Sequence, residues 1–186
     1  DSLTLDGVTV FENTATVNGG GVSLLSFSTQ TPTIMNSNIS RNTAAANGGG
    51  VVASTSLEII GTSLIRNSSG LDGGGVAFEG MSGSRLNVTE STVEQNTSGG
   101  FGGGIASSGP TSVMASTVSS NSAMLSGGGV AATAGTLRIG GTTITGNTAT
   151  VSGGGVAVGV PPGTGQVMTT PAVAEIRFSD ISFNSA

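Results

Sequence analysis

Aliphatic residues recur along the chain at fixed distances ahead of a repeated asparagine. Counting back from Asn13, Asn42, Asn67, Asn96, Asn121, Asn147 and Asn184, the third residue is Val10, Ile39, Leu64, Val93, Val118, Ile144 or Ile181. The eighth is Leu5, Ile34, Ile59, Val88, Val113, Ile139 or Ile176. A looser column lies ten back (Leu3, Pro32, Leu57, Leu86, Thr111, Leu137, Ala174), and small hydroxyls dominate five back (Val8, Ser37, Thr62, Ser91, Ser116, Thr142, Ser179). The pairs at ten and eight, and at five and three, each alternate with the period of a β-strand. The odd step between the pairs marks a bend that keeps both strands facing one interior.

Six residues after each of the first six asparagines a glycine triplet begins, at Gly19, Gly48, Gly73, Gly102, Gly127 and Gly153. Val22, Val51, Val76, Ile105, Val130 and Val156 follow and open a third strand. The spacing predicts an all-β parallel β-helix over residues 1–186, with three short strands per turn and about seven turns of 25–29 residues. Turns ~4.8 Å apart make a rod of roughly 30–35 Å.

The triplet suits a corner that needs positive φ and no Cβ. The asparagines suit a second corner, where each amide bonds to backbone or to the next asparagine in a ladder. Length varies in one place only. Asparagine to triplet is always six residues, whereas triplet to next asparagine is 23, 19, 23, 19, 20 and then 31. The longest excess, about 159–172, reads as a loop insertion on one face.

Composition narrows the chemistry. There is no Cys and no His, which excludes disulfides, thiolate sites, imidazole bases and Ser-His-Asp or Cys-His catalysis. All five cations are arginine, so no lysine is available for a phosphate-binding loop. A net charge of −5 disfavours nucleic acid as a partner. No residue is charged from Gln95 to Leu137 or from Ile139 to Ala174, yet Ser, Thr, Asn and Gly interrupt both stretches, so neither reads as a membrane span. No cofactor or metal is expected.

The pairing of Ile39-Ser40-Arg41-Asn42 with Gly48-Gly49-Gly50-Val51, repeated along nearly the whole chain, resembles the repeats of bacterial polymorphic outer membrane proteins and related autotransporter-type β-helix surface proteins. Those repeats pair Gly-Gly-Ala-Ile with Phe-x-x-Asn. Here the third position is Gly, and Val, Ile or Leu stands in place of Phe. The resemblance implies a right-handed β-helix in an extracellular or cell-surface adhesive or structural role.

Several outward columns could carry function. One residue before the asparagine lie Glu12, Arg41, Arg66 and Gln95. Arg41 and Arg66 on successive turns could grip an acidic or sulfated glycan, while the bland reading is a solvated edge with a weak Glu12–Arg41 pair. Right-handed β-helices include polysaccharide lyases and glycoside hydrolases, so Glu58, Glu175 and Arg138 in one column, and Glu90 with Glu94, are the acids to weigh for catalysis. The expected pairing of Arg138 with Glu175 is an ion pair between neighbouring turns. The rank Thr9, Asn38, Ser63, Thr92, Thr117, Thr143, Asp180 raises a third reading, ice binding, but it is broken and has no twin. Of four glycosylation sequons, Asn67 and Asn96 fall at ladder corners, whereas Asn38 and Asn87 face outward and are the expected acceptors.

Neither terminus carries the polar cap a solenoid needs. The chain is therefore expected to be part of a longer solenoid or of an end-to-end or lateral stack. The functional expectation is a non-catalytic structural or adhesive module, partnered by copies of itself, glycans or host surface proteins, with no direct membrane insertion.

Overall fold

The computed structural model describes residues 3–25, 30–159 and 172–186. All strands run parallel and stack into four sheets. The first sheet, Thr4–Asp6 to Ala172–Arg177, and the second, Thr9–Phe11 to Asp180–Ser182, have seven strands each. The third, Thr14–Ala15 to Thr148–Ala149, and the fourth, Val22–Leu24 to Val156–Val158, have six. The molecule is a parallel β-solenoid of six complete turns, with two strands of a further one.

Two expectations are corrected. There are four strands per turn, and six full turns instead of seven. The unforeseen strand is the two-residue pair directly after each ladder asparagine, such as Thr43–Ala44. Two residues are too few to display an alternating pattern, so only pairing with the next turn reveals them. The expected insertion at 159–172 lies outside the described residues except for its flanks, Gly159 and Ala172.

The register is that of the sequence columns. Ile34, Ile59, Val88, Val113 and Ile139 pair in succession on the first sheet, and Ile39, Leu64, Val93, Val118 and Ile144 on the second. Val51, Val76, Ile105 and Val130 close the interior from the fourth. All of these side chains are fully or almost fully buried. Each removes enough apolar surface from water to contribute about 1.5–3 kcal/mol. Among the described residues Phe78 is the one ring in this core, stacked between Ala53 and Ser107. Small residues make room for it: a Cβ at Gly80 or Gly109 would lie 2.8 or 2.9 Å from its ring.

Three corners of every turn adopt the left-handed conformation. The first glycine of each triplet has φ of 61 to 70°. The residue ahead of each ladder asparagine (Glu12, Arg41, Arg66, Gln95, Ser120, Gly146, Phe183) has φ of 54 to 64°. The residue six ahead (Gly7, Asn36, Gly61, Glu90, Ala115, Gly141, Phe178) has φ of 49 to 65°. A residue with a Cβ loses roughly 1–2 kcal/mol in this conformation.

The triplet is glycine for two reasons. Gly48 needs positive φ. Gly49 and Gly50 lie against the following turn, where a Cβ would sit 2.5 Å from Gly74 O and 2.6 Å from Gly75 O respectively.

Candidate binding site on the outer face

Two internal ladders consume the polar side chains of the repeat. Asn42 Nδ2 donates to Asn67 Oδ1 at 3.0 Å and to Val10 O at 2.9 Å, while the Asn42 backbone N–H also donates to Asn67 Oδ1 at 3.0 Å. The same side-chain bond links Asn13 to Asn42, Asn67 to Asn96, Asn96 to Asn121, Asn121 to Asn147 and Asn147 to Asn184 at 2.9–3.0 Å. The central five are buried. Asn42, Asn67, Asn96 and Asn121 each accept two bonds and donate two, the whole capacity of the amide, and Asn147 adds a longer contact to Thr145 O at 3.2 Å.

The second ladder uses the hydroxyls five residues ahead of the asparagines. Ser91 Oγ accepts from Thr62 N at 3.1 Å and donates to Thr89 O at 2.8 Å. Ser37, Thr62, Ser116, Thr142 and Ser179 repeat this arrangement. The column was visible in the sequence as part of the inner wall, but its hydrogen-bonding role was not. Ser98 is the exception inside: its Oγ is buried without a partner at a position where Ala44 and Ala123 stand in nearby turns.

The outer faces carry the side chains that these ladders leave free. The second sheet carries a groove of about 390 Å³ that crosses three successive turns. Arg41 and Arg66 supply its cations, Phe11 and Ile65 its apolar lining, and Thr9, Asn38 and Ser40 its polar lining. Arg41 Nη1 lies 3.2 Å from Glu12 Oε1, an exposed pair worth at most about 1 kcal/mol. Arg66 donates Nε–H to Gln95 Oε1 at 2.6 Å and forms no ion pair with any described residue. Phe11 is 54% exposed. The sequence placed Arg41 and Arg66 together but did not bring Phe11 to them, because its own column, Phe11, Ser40, Ile65 and Glu94, has no common chemistry to read.

On the first sheet, Glu58, Asn87, Ser112, Arg138 and Glu175 form one outer column, as expected. Arg138 Nε lies 3.2 Å from Glu175 Oε2. Arg177 also pairs with Glu175, and these two guanidiniums hold its carboxyl below the usual range, Arg177 first. Glu58 accepts from Asn87 Nδ2 at 2.9 Å. Four strand spacings separate Glu58 from Glu175, about 19 Å, against the roughly 5–9.5 Å between paired glycosidase carboxylates. Glu90 occupies a left-handed corner and Glu94 the outer end of a second-sheet strand. A second open groove of about 450 Å³ includes Arg85, Asn87 and Arg138, where Arg138 shares the Glu175 carboxylate with Arg177 and, among the described residues, no large aromatic or aliphatic side chain joins the lining.

Asp72 and Glu79 are acids that sequence reasoning did not single out. They line a recess of about 70 Å³ with Asn47, Phe101, Ala77 and Ala106, and Asn47 Nδ2 donates to Glu79 Oε1 at 2.8 Å. Burial raises the Asp72 carboxyl, opposed by the Phe101 N–H that Oδ1 accepts at 2.8 Å and reinforced by Glu79. The recess is far smaller than the ~300–1,000 Å³ of ligand pockets.

The charged Asp72 is thus disfavoured by folding. Its penalty is full above the raised value and absent below the ordinary value of 3.8. Asn18 and Asn47 occupy the same column and accept the same kind of backbone bond. Asp72→Asn is therefore expected to raise the thermal midpoint at pH 7, with the gain shrinking as pH falls toward 3.8. A pH-independent gain, or a loss at pH 7, would refute this account.

The hydroxyl rank on the second sheet runs Thr9, Asn38, Ser63, Thr92, Thr117, Thr143, Asp180. The third sheet carries an unbroken rank: Thr14, Thr43, Ser68, Thr97, Ser122, Thr148 and, by an isolated bridge, Ser185. Asn38 is exposed and Asn87 half-buried on the outside, whereas Asn67 and Asn96 are spent inside the ladder. Among the described residues no group of three or more acids converges as a metal site, and no helix is long and apolar enough to cross a membrane. No protein-family model, curated protein or solved structure matches the chain.

Proposed function

We propose that the chain is a non-catalytic structural or adhesive module of an extracellular or cell-surface protein, a β-solenoid that presents its outer faces to a glycan or surface-protein partner. One observation carries this reading. The repeated polar side chains are bonded to one another inside, and among the described residues the outside offers open grooves along the axis, while the recess that brings two acids together, Asp72 and Glu79, holds only about 70 Å³. Scarce cations support it further, since five arginines and no lysine leave few tryptic sites on a chain exposed to foreign proteases.

The test combines a glycan and cell-surface binding panel with electron microscopy of the native material. Saturable binding without turnover, or self-assembled rods, is the expected result. Steady release of sugar ends from any polysaccharide in the panel would overturn the non-catalytic reading.

A second reading, ice binding, draws on the unbroken rank of the third sheet. Three of its seven members are serines, which lack the methyl group that a threonine would present. Thermal hysteresis in dilute solution decides it.

A further inference from the structure

We propose that the groove of the second sheet binds a linear acidic polysaccharide laid along the solenoid axis, held by Arg41 and Arg66 with Phe11 as its apolar contact. This rests on the adhesive reading and names its ligand class.

The first argument is conformational. Arg41 and Arg66 have φ of 55 and 57°, a conformation that suits glycine, and Gly146 occupies the equivalent corner three turns on from Arg66. The fold is thus built equally well without a side chain there. Every residue at this corner is left-handed whatever its side chain, so what distinguishes these two turns is a pair of long, exposed cationic side chains at positions where glycine suffices for the fold.

The second argument is charge. In a chain of net charge −5, two of the five cations lie side by side at one groove. Arg41 is shared with an exposed Glu12, and Arg66 is met only by a neutral amide. A planar guanidinium recognises carboxylate or sulfate through paired N–H donors. Beyond Arg66 the next turn brings Glu94 and Gln95, so the anion site ends there.

The third argument separates a sugar from other polyanions. Phe11 is about half exposed, and an aromatic ring is a favourable contact for the C–H face of a pyranose. Thr9, Asn38 and Ser40 add short hydroxyl and amide groups that match sugar hydroxyls. The groove crosses three turns, about 10 Å along the axis, and so is open to an extended chain. A nucleic acid of comparable length would meet too few cations.

The probes are heparin for sulfate, polygalacturonate for carboxylate, neutral dextran, and single-stranded DNA. The unaltered protein is expected to bind heparin or polygalacturonate in a salt-sensitive manner, and not dextran. The double variant Arg41→Gly/Arg66→Gly relieves both left-handed corners, so its thermal midpoint should hold or rise. Its affinity should fall by roughly tenfold per guanidinium removed. Phe11→Ala should weaken the polysaccharide, and Arg85→Ala, in the other groove, should change nothing.

Equal binding by the double variant, an equal loss with Arg85→Ala, or DNA binding as strong as polysaccharide binding would overturn the proposal. So would an N-glycan on Asn38 in native material, since it would fill the groove. If neither polyanion binds but other glycans or cell surfaces do, the groove assignment fails and the adhesive reading stands. If nothing binds and nothing assembles, both fail.

Discussion

Replacing one ladder amide by a carboxyl, Asn96→Asp, is expected to cost about 3–5 kcal/mol at neutral pH, the penalty of an unpaired buried charge. Asn96 is fully buried. Its Nδ2 donates to Asn121 Oδ1 at 3.0 Å and to Leu64 O at 2.9 Å, and both partners are acceptors only at those contacts. A carboxylate oxygen in place of Nδ2 faces two other oxygens with no proton between them. The Oδ1 side is unharmed, since it still accepts from Asn67 N at 2.9 Å and Asn67 Nδ2 at 3.0 Å.

The variant should therefore depend on pH. Desolvation and the facing oxygens raise the new carboxyl above its unfolded value, so the neutral form is favoured on folding. The stability deficit is smallest below the unfolded carboxylate value, ~3.9, and grows as pH rises through the raised value. Urea midpoints followed by circular dichroism from acid to neutral pH measure this. Asn18→Asp is the control, because Asn18 lies in the column where Asp72 stands and serves as an acceptor; a carboxylate carries a desolvation penalty there too, so a loss of about 1 kcal/mol, well below that at Asn96, is expected. A small, pH-independent effect at Asn96 would mean that the ladder does not hold the turns together.

A single methyl group at the middle glycine of a triplet should be nearly as damaging. A Cβ on Gly103 would lie 2.5 Å from Ser122 C and 2.6 Å from Gly128 O, both backbone atoms of neighbouring segments that cannot rotate away. Gly103→Ala is expected to destabilise by about 3 kcal/mol or more, as a forced separation of packed backbone. Gly141→Ala provides the contrast. Its φ is +57° but the nearest atom to its Cβ would be 3.9 Å away, so only the left-handed penalty of roughly 1–2 kcal/mol applies. Equal effects at the two sites would show that conformation, and not close approach, explains the triplet. Because a solenoid can unfold turn by turn, both are best followed by hydrogen exchange at the affected turn as well as by the midpoint.

The interior was legible because it is repetitive in chemistry as well as in spacing. Ile39, Leu64 and Val93 face one cavity, so each must be apolar. Asn42, Asn67 and Asn96 each meet the same acceptor and donor from the turns on either side, so no other side chain serves. The glycine triplet is forced by neighbouring backbone in every turn. Such requirements write themselves into the chain as columns.

The outer face obeyed no such constraint. Nothing in the sequence marks Arg41 or Arg66 as left-handed corners, since arginine does not advertise that conformation as glycine does. The pair Thr43–Ala44 becomes a strand only because Thr14 and Ser68 lie beside it. Asp72 and Glu79 belong to different corners of one turn, and their shared recess depends on how those corners fold over Ala77 and Ala106. Phe11 reaches the groove of Arg41 and Arg66 only through stacking.

The amino-acid sequence alone thus determined the parallel β-solenoid, its register, its buried columns and its ladder asparagines, because stacking in register imposes one chemical demand on the same position of every turn. The tertiary structure decided the number of sheets, the two left-handed corners besides the glycine triplet and the groups that meet across turns on the outer face. Side chains facing water have no common partner to satisfy, so their neighbours are set by backbone geometry and leave no period to read.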